Sequence, residues 1–125
     1  MAEKTPAEKL LMKSGTRAAL GHVPAELDGR LGLPDAVALV DDAAEADVIL
    51  EFATSQAEAE QRLAALAPAV GARTVAWLGY PKGSRAAGFD LNRDTIAGFA
   101  PDVGLVVVSI VALGEKWSAV RVRRA

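Results

Sequence analysis

The sequence contains no cysteine. That removes disulfides, thiolate metal sites and thiol nucleophiles together, and it is compatible with a cytoplasmic protein. Histidine occurs once, at His22, so a metal centre built from several histidines is excluded by count. Positive charge is not in excess either: the formal net charge is −2, which lacks the broad basic footprint of nucleic-acid binding. Long apolar runs are missing. The longest, residues 104–113, is interrupted by Ser109 and is too short for a membrane span. Residues 1–13 carry Glu3, Lys4, Glu8, Lys9 and Lys13, so they lack the apolar core of a signal peptide. The glycine-rich phosphate loop G-x-G-x-x-G is also absent. These absences predict a cytoplasmic chain that binds neither membrane nor nucleic acid.

What is present reads as one α/β domain over residues 1–125. With 51% hydrophobic and 24% charged residues, the composition is that of an ordinary globular chain. A chain of this length buries roughly two-thirds of its unfolded surface and needs no covalent staple. The stretch Arg73-Thr74-Val75-Ala76-Trp77-Leu78-Gly79-Tyr80-Pro81-Lys82 organises the rest. It is a strand apolar enough to need cover on both faces, as in a parallel sheet flanked by helices.

The remaining elements follow in order. Thr5-Pro6-Ala7-Glu8 is a capping box with proline at the first helical position, predicting a helix to about Lys13 and a stop at Gly15. Residues 16–22 predict a first strand. Pro24-Ala25-Glu26-Leu27 predicts a short helical crossover held short by Gly29, Gly32 and Pro34. Residues 36–40 predict a second strand ending in Asp41-Asp42, and residues 47–52 a third. Ser55 and Glu58 form a further capping box that opens a helix over residues 56–67. Its stripe is Ala59, Leu63, Leu66 and Val70, with Glu58 and Arg62 paired outside. A loop over residues 81–89 holds Gly83, Ser84, Arg85 and Gly88. Asn92 then caps a short helix in which Leu91 staples onto Ile96. Residues 105–112 and 117–123 predict two strands joined as a hairpin. The expected architecture is a Rossmann-like three-layer sandwich: a mostly parallel sheet of about six strands with a C-terminal antiparallel hairpin.

Three stretches together carry a resemblance: Thr5-Pro-Ala-Glu-Lys-Leu with Lys13-Ser-Gly15, then Trp77-Leu-Gly-Tyr-Pro-Lys82, then Gly104-Leu105 through Lys116-Trp117-Ser118-Ala-Val-Arg121. They resemble a bacterial family known as domain of unknown function 3052. The resemblance implies a small bacterial domain without an assigned reaction. A looser architectural similarity is to Rossmann-like methyltransferases, in which a final antiparallel strand slots in beside its neighbours. The chain departs from them after the first strand, where Leu20-Gly21-His22-Val23-Pro24 offers a single glycine.

Each candidate site residue has a plainer structural alternative. Gly21 with Asp41 at the end of the second strand is the nearest thing to a nucleotide fingerprint, since an acid there can accept from ribose hydroxyls. Two aspartates in a solvated turn is the simpler reading. Lys82, beside Tyr80 and Trp77, can bind an anion as a point charge, or its stem can cover the sheet edge. His22 can act as a base if Asp41 or Ser55 partners it; a lone histidine more often makes a structural hydrogen bond. Asp41, Asp42 and Glu45 match no calcium-loop spacing. Trp117 can anchor a hairpin with its indole N–H bonded at the rim, or dock a partner together with Arg121. Arg121, Arg123 and Arg124 read most simply as a solvated strand edge that resists aggregation.

No catalytic constellation emerges. The leading expectation is therefore a non-enzymatic module that binds a small molecule or a protein, with no cofactor and no metal. The alternative is a small enzyme, or a binder of a nucleotide or S-adenosylmethionine, that uses the strand-end loops.

Overall fold

The computed structural model describes residues 5–82 and 91–125. The strands are β1 (Arg17–Gly21), β2 (Ala38–Leu39), β3 (Val48–Phe52), β4 (Val75–Pro81), β5 (Leu105–Ala112) and β6 (Trp117–Arg124). The helices are α1 (Pro6–Lys9), α2 (Gln56–Leu66) and α3 (Arg93–Phe99). Among the described residues the strands form one sheet in the order β2-β1-β3-β4-β6-β5. Strands β2, β1, β3 and β4 pair in parallel. Strand β6 runs antiparallel to both β4 and β5.

Alternation along the strands separates two apolar layers. Ile49, Ala76, Leu78, Val120 and Val122 face one side, under α2 and α3. Val48, Leu50, Phe52, Trp77 and Ala119 face the other, with Ala7, Leu10 and Met12 of the amino-terminal segment. Covered on both sides, β4 has no wet face, which accounts for its unbroken apolar run.

The predicted helix α2 is present with the expected stripe. Ala59, Leu63, Leu66 and Val70 are all buried. Burying a leucine such as Leu63 contributes about 1.5–3 kcal/mol. Asn92 caps α3, and Leu91 and Ile96 are both fully buried in one cluster.

Several local expectations need correction. Helix α1 keeps its Thr5–Glu8 capping box but ends at Lys9 rather than Lys13. Leu11 turns left-handed there, with φ 65°, and the indole Nε1 of Trp77 donates to the Leu10 carbonyl oxygen at 3.0 Å. Long-range docking onto the sheet thus cuts the helix short. The crossover at residues 24–27 forms turns, not a helix, and the second strand shrinks to two residues. Glycines at 29 and 32, both with positive φ, hold that connection irregular. Strand β6 is not an edge: it lies between β4 and β5, so Arg121 sits inside the sheet opposite Trp77 and Ser109. Beyond β6 the edge on that side of the sheet is β5. The predicted loop residues Gly83, Ser84, Arg85 and Gly88 lie outside the described residues. Among the described residues no helix is long and apolar enough to cross a membrane.

Candidate functional site

Strand β1 has β2 on one side and β3 on the other. The connections leave it in opposite directions, so the carboxyl ends of β1 and β3 border the crevice where open α/β sheets place ligands. Register brings Gly21 of β1 beside Glu51 of β3. With no side chain on Gly21, the Glu51 carboxylate lies where a Cβ would stand. The chain then turns sharply at His22, whose φ of 53° is uncommon for a residue with a side chain. This turn puts His22 Nδ1 2.6 Å from Glu51 Oε1. Such backbone outliers cluster at functional sites.

Arg62 completes the group from α2. Its Nε lies 3.7 Å from the same Glu51 oxygen. That is an ion pair but too long for a hydrogen bond, and the buried Nε has no hydrogen-bond partner among the described residues. Glu51 is 19% exposed in its side chain, so its charge sits at the mouth of the crevice rather than in bulk water. Beside it opens a cleft of about 180 Å³ lined by Gly21, Asp41, Glu51 and Arg62 over a floor of Ile49 and Leu66. Asp41 makes no hydrogen bond or ion pair with any described residue. Its neighbour Asp42 instead caps a 3-10 turn, accepting from Ala44 N at 2.9 Å.

The Ser55 hydroxyl accepts from Glu58 N at 3.2 Å and so caps α2. The expected reciprocal bond is displaced by one residue: the Glu58 carboxylate accepts from Thr54 N at 2.9 Å and from the Thr54 hydroxyl at 3.1 Å. The Thr54 backbone N–H, then its hydroxyl, hold the Glu58 carboxyl below its ordinary value, with burial opposing and Arg62 and His22 assisting. Arg62 turns toward Glu51 rather than forming the expected outward pair with Glu58.

The other predicted site residues lie elsewhere. Tyr80 is a core residue, 5% exposed, and burial pushes its phenol above 10.0. Lys82 is held against the turn between β5 and β6. Its Nζ donates to the Gly114 carbonyl at 2.8 Å and its backbone N–H to the Lys116 carbonyl at 2.8 Å. Trp117 packs edge-on against Phe52, ring centroids 5.7 Å apart. Its Nε1, expected to be bonded at the rim, has no acceptor among the described residues. Asp41, Asp42 and Glu45 form no metal-binding cluster among the described residues.

The structure therefore unites Gly21, His22 and Asp41, sets Ser55 as a cap, and places Tyr80, Lys82, Trp117 and Arg121 away from that cleft. Sequence reading missed Glu51 and Arg62. The signal for Glu51 was one carboxylate at the carboxyl end of an otherwise apolar strand.

No protein-family model matches the chain, and no curated protein matches it. The resemblance to domain of unknown function 3052 therefore has no family match behind it. Solved structures do resemble it in fold. A MtNAS mutant crystallised with S-adenosylmethionine superposes with a TM-score of 0.61 at 16% identity, covering 94% of this chain and 58% of that one. Mitomycin 7-O-methyltransferase gives 0.59 at 17% identity, over 96% and 53% of the two chains. A TehB-like S-adenosylmethionine-dependent methyltransferase from Corynebacterium glutamicum gives 0.55 at 14% identity, over 98% and 89%. The chain thus spans little more than half of the first two proteins and most of the third. At these identities the likeness shows the fold alone: α/β, Rossmann-like, with the antiparallel strand in place.

Proposed function

We propose that this chain binds an S-adenosylmethionine-class ligand at the carboxyl ends of β1, β2 and β3. The observation that carries the reading is the pairing, on one cleft, of a bare Gly21 α-carbon with an Asp41 that has no partner among the described residues. It occurs in a fold shared with a protein crystallised with S-adenosylmethionine and with an S-adenosylmethionine-dependent methyltransferase. This likeness supports the alternative named above more than a non-enzymatic module.

The donor set fits such a group. Asp41 can accept from ribose hydroxyls, and Glu51 carries the charge that an ammonium or sulfonium requires. A mostly acidic crevice without a phosphate cradle disfavours polyphosphate nucleotides. Space is the constraint: about 180 Å³ falls below the roughly 300–1,000 Å³ usual for small-molecule sites. Glu51 therefore has to leave Gly21 as the ligand enters, exchanging His22 and Arg62 for the incoming cation. When bound, the ligand would supply an electrophilic methyl group. The chain's own residues orient it and hold its charge.

Glu51 resting on Gly21 also supports a second reading, a closed module that has lost its ligand. One assay separates the two. Thermal unfolding is followed with S-adenosylmethionine, S-adenosylhomocysteine, ATP and NAD. Ligand at 100 times its dissociation constant adds about 2.7 kcal/mol of stability. A shift with the adenosyl-sulfur compounds that is lost in Asp41→Ala supports binding. No shift with either of them leaves the closed module.

A further inference from the structure

A second cleft, sharing no lining residue with the first, opens at the carboxyl end of β4. Its volume is about 380 Å³, large enough for a small molecule as the chain stands. Its walls are Thr54 and Pro81 on the sheet side, Trp117 at the start of β6, and Glu26 from the crossover opposite. The β5–β6 turn adds Glu115 and Lys116.

Three features mark it as built for a ligand. Trp117 is 8% exposed and fixed by the edge-on Phe52 ring, so it offers a rigid aromatic surface at little entropic cost. Its buried indole N–H has no acceptor among the described residues, a condition most folded proteins avoid. The charges on the rim are also unpaired with one another. Glu26, Glu115 and Lys116 form no ion pair among the described residues, and Lys82 is tied to a backbone carbonyl. Two carboxylates and two ammonium groups around one aromatic wall give a balanced lining. That lining favours neither a simple anion nor a simple cation.

We propose that this cleft binds an amino-acid-like zwitterion with a flat apolar side chain. The ring lies against Trp117 and Pro81, the ammonium meets Glu26 and Glu115, and the carboxylate meets Lys116. The proposal is independent of ligand binding in the first cleft.

The test uses the intact protein and L-phenylalanine as probe, followed by nuclear magnetic resonance of the two indole N–H signals, assigned with Trp117→Phe. Saturable movement of the Trp117 signal is expected, with the Trp77 signal, bonded to Leu10, unchanged. Phenethylamine and phenylacetate, each carrying one of the two charges, should bind more weakly. Glu26→Gln and Glu115→Gln, both at solvated positions, should each weaken L-phenylalanine by roughly two- to fivefold. No movement of the Trp117 signal up to the solubility limit overturns the proposal. So does phenethylamine binding as well as L-phenylalanine, or affinity unchanged in both variants.

Discussion

Gly21 and Gly79 each present a bare α-carbon to a side chain of β3, and they differ in what that neighbour can yield. A methyl group at Gly79 would meet the Phe52 ring, which is itself wedged against Trp117. Gly79→Ala is expected to cost about 1–3 kcal/mol, as overpacking in a tight core does. At Gly21 the obstacle is the end of the Glu51 side chain, which can swing toward water. Gly21→Ala should change stability by less than about 1 kcal/mol yet weaken adenosyl-ligand binding. Urea unfolding of the two variants checks the contrast. Equal destabilisation would mean that Glu51 is locked in place and cannot act as a movable plug. Neither contact was legible in the sequence. Gly21 and Glu51 are thirty positions apart, and only the parallel register of β1 with β3 makes them neighbours. The local pattern Leu-Gly-His read as the end of a strand; it showed neither the turn at His22 nor what fills the space above Gly21.

At the level of elements, the start of α2 shows how far local chemistry reads through. Ser55 followed by Glu58 announced a helix start, and the helix begins there. The pattern did not specify which amide the glutamate takes, because Thr54, one residue further back, offers both an N–H and a hydroxyl. Since the folded-state pKa of Glu58 is lowered from 4.5, mainly by that Thr54 N–H, its contribution to stability has a definite sign. It is present in full above the unfolded value and disappears as pH falls through the lowered folded value. Wild type and Glu58→Gln should therefore differ in denaturation midpoint near neutral pH and converge in acid. A difference that persists below that window would assign the effect to packing. The carboxyl end of α2 was less legible. Arg124 closes it from the far end of β6, donating to the Val70 and Ala67 carbonyls at 2.9 and 3.0 Å, a favourable place for a cation. In the sequence that arginine belonged to a run of three read as a wet edge.

For the molecule as a whole, strand count, fold class and the closing hairpin could be read from periodicity, because burial on both faces writes itself as apolar runs. Strand order could not. A hairpin is equally consistent with β5 or β6 beside β4, and the choice rests on long-range packing. The outcome leaves β5 as an edge carrying no charged residue, with Val108 40% and Ile110 44% exposed. A bulge between Val107 and Ser109 is its one evident guard. Val108→Lys should lower concentration-dependent light scattering on warming while leaving stability within about 0.5 kcal/mol. Unchanged scattering would locate any self-association elsewhere.

The insertion of β6 between β4 and β5 also dictates a timetable. As the chain leaves the ribosome, the four parallel strands can assemble in the order they appear. Strand β5 cannot take its final seat until a later segment has threaded in ahead of it. Until then the flank of β4 and the whole of β5 stay bare together. A chain released short of Trp117 would thus be a sticky half-product, and it is there that a chaperone would have the most to shield.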